Sequence, residues 1–177
     1  IRPTGAERMV GSQGDGSGLR VLDTPYGRIG GLVCWENYMP LARYSLYSQG
    51  MEVLVAPTWD RGDVWISSLR HIAKEGRTYV VGVTPVLRGS DVPAGIPGRD
   101  TLYGGEDDWM CPGDSAIVGP SGELLAGPLR GEEGILYAAI DDAVARASRH
   151  EFDPVGHYAR SDLFHLTVGD TVRRAMD

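Results

Sequence analysis

The sequence predicts an α/β fold. Short apolar runs of strand length alternate with segments whose apolar residues recur at helical spacing, and Gly/Pro clusters punctuate the two. No internal repeat and no low-complexity tract interrupts this alternation.

Taken in order, residues 19–23 and 28–33 are apolar-rich runs separated by Thr24-Pro25-Tyr26-Gly27, the composition of a turn between antiparallel strands. Ile29 to Val33 reads as a buried strand carrying two small glycines, and Asn37 and Pro40 are start signals for a helix through Leu41, Tyr44 and Tyr47 that closes at Gly50. Glu52 to Ala56 is the next strand, so strand, crossover helix and strand form a right-handed βαβ unit whose strand-end loops face one site. Asp60 or Asp63 is placed to cap the following helix, where Trp65, Leu69, Ile72 and Ala73 share one face before Gly76 ends it. Thr78 to Thr84, rich in valine, is a third strand. From Pro85 to Gly113 the texture changes to Gly, Pro and Asp, which reads as a long loop, functional or mobile. Ser115 to Val118 and Glu123 to Ala126 flank a Gly119-Pro120-Ser121-Gly122 turn as a second hairpin, and Gly134 to Ile140 reads as a last strand. Asp141 or Asp142 caps a short helix through Ala147. Phe152 to Leu166 holds aromatics without periodicity, as expected of a tail that packs on something else.

With 177 residues, 42% of them apolar and 23% charged, the chain has the composition of one soluble globular domain with a sizeable core. A net charge of −7 with no basic stripe argues against nucleic acid as a partner. No apolar run approaches the roughly 20 residues of a membrane span, and no charged-then-apolar leader opens the chain, so no membrane partner and a cytoplasmic location are expected. Cys34 and Cys111 are expected to stay unpaired, Cys111 as an incidental thiol. The chain opens on Ile1-Arg2-Pro3-Thr4 with no strand or cap leading in, which reads as a cut end.

Cys34 lies where the Gly30-Gly31-Leu32-Val33 run stops and a turn leads into a helix. Unpaired N–H groups and the positive end of a helix dipole at such a junction favour thiolate and bind a developing anion. The competing reading is a small buried core residue. Around it, Trp35 offers a backbone N–H just after the nucleophile, with an indole ring that suits core or pocket equally. Glu36 either orients the site or complements the helix dipole. Trp59, following a strand end, is assigned to pocket lining. His71 at mid-helix is read as structural rather than as a base, and Glu75 as a helix-end ion pair with Arg77 and His71. Asp15 in Gly-Asp-Gly-Ser is a turn former, and His157 has no ligands at metal spacing, so no metal and no cofactor are expected.

Cys34-Trp35-Glu36-Asn37 after Gly-Gly-Leu-Val, Ala56-Pro57-Thr58, and Arg70-His71-Ile72-Ala73-Lys74-Glu75-Gly76-Arg77 together resemble the nitrilase branch of the carbon-nitrogen hydrolase family. The resemblance extends upstream through Arg2-Pro3-Thr4-Gly5-Ala6-Glu7-Arg8 and downstream to Gly156-His157-Tyr158-Ala159-Arg160, nearly the whole chain. It implies an α-β-β-α sandwich, incomplete at its N-terminus, with residues 1–177 the C-terminal portion of one domain and 150–177 an oligomer-packing tail. It further implies a homo-oligomer, a dimer or a larger spiral, formed through the helices after Cys34 and Asp63. In the family a glutamate, a lysine and a cysteine work together, with a second glutamate near the lysine. By motif Cys34 is the nucleophile and Glu7, in Pro-Thr-x-x-Glu-Arg, matches the second glutamate. Lys74, the chain's one lysine, lies in the helical stretch; the family's Arg-Lys-x-x-Pro-Thr pattern would put the catalytic lysine immediately before Ile1 and the base glutamate further upstream. Gly5 and Gly11-Ser12 depart from the bulkier residues many relatives carry, which bears on substrate size. The expected activity is hydrolysis of a small-molecule nitrile to carboxylic acid and ammonia. The alternatives are an amidase or carbamoylase of the same family, a truncated non-catalytic assembly subunit, and a Cys34/His71 thiol hydrolase.

Overall fold

A computed structural model describes residues 5–102, 105 and 108–169. Strands β1 (Leu22–Thr24) and β2 (Gly27–Gly31) form the expected antiparallel hairpin. The chain then passes through a 3₁₀ turn, Cys34–Tyr38, into helix α1 (Pro40–Ser48), and returns as β3 (Val53–Pro57), parallel to β2. Helix α2 (Gly62–Gly76) carries it to β4 (Tyr79–Val83), parallel to β3. Pro40 sits at the start of α1, where its missing N–H costs nothing. Asn37 belongs to the preceding turn and does not cap the helix, a correction to the sequence reading.

Helix α2 ends at Gly76 as read, and its start differs from the sequence reading. Its first residue is held by a distant carboxylate: Gly62 N–H donates to Asp114 Oδ2 at 2.7 Å, and neither Asp60 nor Asp63 caps it. At the other end Arg77 takes the left-handed conformation that closes the helix (φ +50), directly after Gly76. The periodic face behaves as read. Trp65, Leu69, Ile72 and Ala73 are buried against the sheet, each large side chain contributing about 1.5–3 kcal/mol.

The described residues of the Gly/Pro-rich stretch form regular elements that its composition does not suggest. It contains β5 (Val86–Arg88), the short helix α3 (Arg99–Leu102) and the first half of β6 (Trp109–Val118). Strand β5 pairs with β6 just where β4 leaves it, so β4 and β5 run as one interrupted line along the same partner. Ser115 Oγ bridges the interruption, accepting from Thr84 N–H at 2.9 Å and donating to Thr84 O at 3.2 Å. Strand β7 (Leu124–Arg130) completes the second hairpin. The order is β1-β2-β3-β4-β6-β5, with β7 on β6, in one mixed sheet. Gly134 to Ile140, read as a last strand, pairs with no strand among the described residues, and its Ile135, Tyr137 and Ile140 are exposed. Helix α4 (Asp142–Ser148) is capped by Asp141, which accepts from Ala143 N–H.

Alternation along the strands gives the sheet two different faces. Leu54, Ala56, Val80, Ala116 and Val118 face α1 and α2 and form the main core. Gly30 lies on this face too, where a Cβ would run into Met51 Sδ. On the other face Val53, Tyr79 and Ala145 of α4 form a small cluster with Ile29 and Val81, while Val55 and Val83 remain exposed. The mixed α/β class is as expected, with the described residues forming one sheet. The tail folds back by turns: Tyr158, Leu163 and Phe164 line a cavity of about 720 Å³ against Leu41, Tyr44 and Tyr47 of α1.

Candidate active site

Parallel strands β2 and β3 end side by side, and the loops that follow them meet. Cys34 is the first residue of the 3₁₀ turn after β2, partly exposed, with its backbone in the left-handed region at φ +52. For a residue with a Cβ that conformation costs about 1–2 kcal/mol, so neighbouring contacts must hold it. They do so on both sides. Val33 N–H donates to Glu36 Oε2 at 2.9 Å while Glu36 N–H donates to Val33 O at 3.0 Å. Asn37 Nδ2 donates to Leu32 O at 2.8 Å and to Cys34 O at 2.9 Å.

Asn37 is in turn gripped by Arg43 of α1, whose Nη1 donates to Asn37 O at 2.7 Å. The guanidinium also forms a two-pronged pair with Glu75 of α2, at 2.8 and 3.2 Å. Tyr47 Oη donates to the same carboxylate at 3.0 Å, and His71 Nε2 lies 3.1 Å from it. Burial pushes the Glu75 carboxyl up, but the hydrogen bonds and charge of Arg43, aided by Tyr47, outweigh it and hold the group below its ordinary value. Burial, and then the Glu75 charge, push the Tyr47 phenol up. The pairing read from the sequence is therefore corrected: Glu75 binds Arg43 and His71, whereas Arg77 pairs with Glu151 at 3.3 Å.

The loop after β3 is tied to the cysteine turn and to β6. Tyr38 Oη donates to Asp60 Oδ2 at 2.6 Å, and burial followed by this bond pushes the Tyr38 phenol up. Arg61 Nη1 donates to Met110 O, and Cys111 Sγ lies 3.9 Å from Trp59 O. Asp114 completes the clamp. It is wholly buried and bulges from β6 after Gly113, the pair having φ +101 and +98. Besides Gly62 N–H it accepts from Arg130 Nε at 2.6 Å. Sequence reasoning missed Asn37, Arg43 and Asp114 as contributors to the site. A carboxylate after Pro112-Gly113 in an otherwise apolar strand was the readable sign of the last.

Trp35 is 62% exposed and Trp59 47% exposed, on the two adjoining loops. Glu7 lies on a separate 3₁₀ turn, Gly5–Met9, with its side chain exposed, while Arg2-Pro3-Thr4 of the same motif lies outside the described residues. His71 and Lys74 are on the exposed side of α2. Asp15 makes the expected turn, accepting from Ser17 N–H. Both cysteines are free. Among the described residues no group of three or more His, Cys, Asp and Glu side chains could hold a metal, and no helix is long and apolar enough to cross a membrane.

This arrangement can be set beside known proteins. Residues 1–150 match the model of the carbon-nitrogen hydrolase family. A bifunctional nitrilase/nitrile hydratase of Nicotiana tabacum is 41% identical over 96% of this chain and 49% of its own length. A nitrilase of Bradyrhizobium diazoefficiens is 42% identical over 99% of this chain and 54% of its own, and an aliphatic nitrilase of Sinorhizobium fredii is 42% identical over 99% and 56%. The chain thus spans about half the length of the curated relatives it matches. In fold it is similar to a carbon-nitrogen hydrolase from Helicobacter pylori (TM-score 0.68, 23% identity, 89% of this chain and 54% of that one) and to the C. elegans NitFhit protein (TM-score 0.63, 24% identity, 88% and 34%). The chain belongs to the carbon-nitrogen hydrolase family.

Proposed function

We propose that this chain carries the nucleophile of a nitrilase, an enzyme hydrolysing carbon-nitrogen bonds, with Cys34 attacking the nitrile carbon. The observation that carries the reading is the backbone of Cys34: a non-glycine residue held at φ +52 at the end of a parallel strand, partly exposed. Strain of this kind collects at functional sites. In the reaction the thiolate adds to the nitrile carbon and the nitrogen takes a proton, giving a thioimidate. Water adds to that, ammonia leaves, and a second water hydrolyses the thioester to the carboxylic acid and frees the thiol. The tetrahedral adduct of the first water has a second exit, expulsion of the thiol to release an amide. The Nicotiana relative's name, nitrilase/nitrile hydratase, suits that branch point.

Other groups take supporting roles in this reading. Trp35 supplies its backbone N–H to the developing anion, and Glu36 holds the turn while bordering the substrate with Trp59. Glu7 serves as the second glutamate, and the lysine and base glutamate come from a segment upstream of Ile1. No cofactor takes part. Two free thiols suit a reducing compartment, and we place the protein in the cytoplasm. Self-association runs through the face of α1 and α2, with the tail from residue 150 packing across it; residues 170–177 of that expected tail lie outside the described residues.

Ammonia and amide release from a panel of small nitriles and their amides, by a chain extended upstream to carry the lysine and base glutamate, tests the proposal. Cys34→Ala should abolish both products, and Glu7→Gln should cut turnover strongly with little change in melting. Activity surviving in Cys34→Ala would end the nucleophile assignment. Release from amides but not nitriles would favour the amidase alternative.

A further inference from the structure

We infer that Glu75 and Arg43 are positioning residues for Cys34, acting through Asn37. The inference rests on the reading of Cys34 as the nucleophile. The chain of contacts starts on α2 and ends on the residue that bears the strain. Asn37 is fully buried, and both hydrogens of its amide are spent on the carbonyls of Leu32 and Cys34, the two positions on either side of Val33. That fixes which way the amide faces, because a flipped amide would set an oxygen against two carbonyl oxygens. Its Oδ1 finds no partner among the described residues, so the group is held by its donors alone. A buried amide left half satisfied serves a core poorly and suits a device that grips a backbone.

Arg43 supplies the grip from below. Its Nη1 fixes the Asn37 carbonyl while Nε and Nη2 are locked in the two-pronged pair with Glu75. A guanidinium offers a planar fork for such paired contacts, and a lysine would not reproduce it. Glu75 is oriented by Tyr47 and His71 as well. Three elements, α2, α1 and the cysteine turn, are thereby registered through one buried cation. Buried ion pairs add little net stability compared with apolar packing, so stability alone gives weak reason for this one. Relaxing the left-handed backbone would shift the thiol relative to the first N–H groups of the turn.

The test reads Cys34 itself. Iodoacetamide alkylation is followed by mass spectrometry across pH. Tryptic peptides ending at Arg43 and Arg130 report Cys34 and Cys111 separately in the wild type, and a protease cutting at acidic residues serves the Arg43 variants. Wild-type Cys34 should react at neutral pH about tenfold faster than the thiol of a short peptide of the same local sequence. Asn37→Ala and Arg43→Ala should lose that advantage and move the rate-against-pH profile toward that of the peptide. Glu75→Gln, nearly isosteric, should lose several-fold and provides the reading if Arg43→Ala does not fold. Arg43→Lys should recover part of the loss by keeping a donor to Asn37 O. Leu69→Ala, which weakens the core without touching this chain of contacts, should lower the melting temperature and leave the Cys34 profile unchanged. Folded Asn37→Ala and Glu75→Gln with wild-type profiles would overturn the inference and leave the nucleophile standing. So would a Leu69→Ala profile shifted as far as theirs. Wild-type Cys34 reacting no faster than the peptide would overturn both.

Discussion

At Cys34 the conformation and the chemistry pull on stability in opposite directions. A Cβ at φ +52 is strained, and glycine adopts that region freely. Cys34→Gly should therefore melt at or above Cys34→Ala, by about 0.5–1 kcal/mol after the extra entropy of the unfolded glycine is counted. Paired thermal melts check this, and an alanine variant clearly more stable than the glycine one would mean the turn relaxes without the thiol. Asp114, the third left-handed non-glycine residue, gives the complementary case. Its carboxylate accepts from Gly62 N–H and Arg130 while fully buried, so Asp114→Asn should cost about 2–3 kcal/mol, the range for a charged buried acceptor. Chemical denaturation measures the loss, and a change under 0.5 kcal/mol would show the bulge to be held by its backbone alone.

Between elements, the Arg43–Glu75 pair is where α1 and α2 are pinned, and it makes stability depend on pH. Glu75 is lowered in the folded protein, so its contribution is present above the ordinary carboxylate range and is lost as acid protonates it below that range. Glu75→Gln should flatten that part of the acid limb and cost about 2–3 kcal/mol at neutral pH, somewhat under a fully enclosed pair because Glu75 keeps some exposure. Urea melts across the acid range read both effects. How much of this was legible follows from the kind of signal each element carries. The α2 face, with Trp65, Leu69 and Ile72, was readable because burial imposes a period, and the β1–β2 hairpin because its turn has a composition. Asp114 was not, since the residue that satisfies the start of α2 lies some fifty positions along the chain and only the sheet brings it there. The same holds for β5, three residues long and defined by its partner rather than by its own sequence. Cys34 is marked by its own sequence context, whereas Arg43 takes its role only from Glu75 on the other helix.

For the whole molecule, the asymmetry of the sheet bears on activity. One face is filled by α1 and α2, and the other leaves Val55 and Val83 exposed beside the strand ends that carry Cys34 and Trp59. The chain spans about half the length of its curated relatives, and its one lysine sits on the exposed side of α2. A Glu-Lys-Cys mechanism needs an amine to stabilise the nitrogen anion and a base to move protons, and these must come from beyond the described strands. The 177 residues alone should therefore show no nitrile turnover even when folded, while a chain extended upstream, with a lysine directly before Ile1 and a glutamate beyond it, should turn over. The same extension should cover the exposed Val55 and Val83 side chains. Ammonia release by the two chains at equal concentration decides the matter. Full activity from the shorter one would move the proton transfers to His71, with Nδ1 taking the proton while Nε2 stays bonded to Glu75.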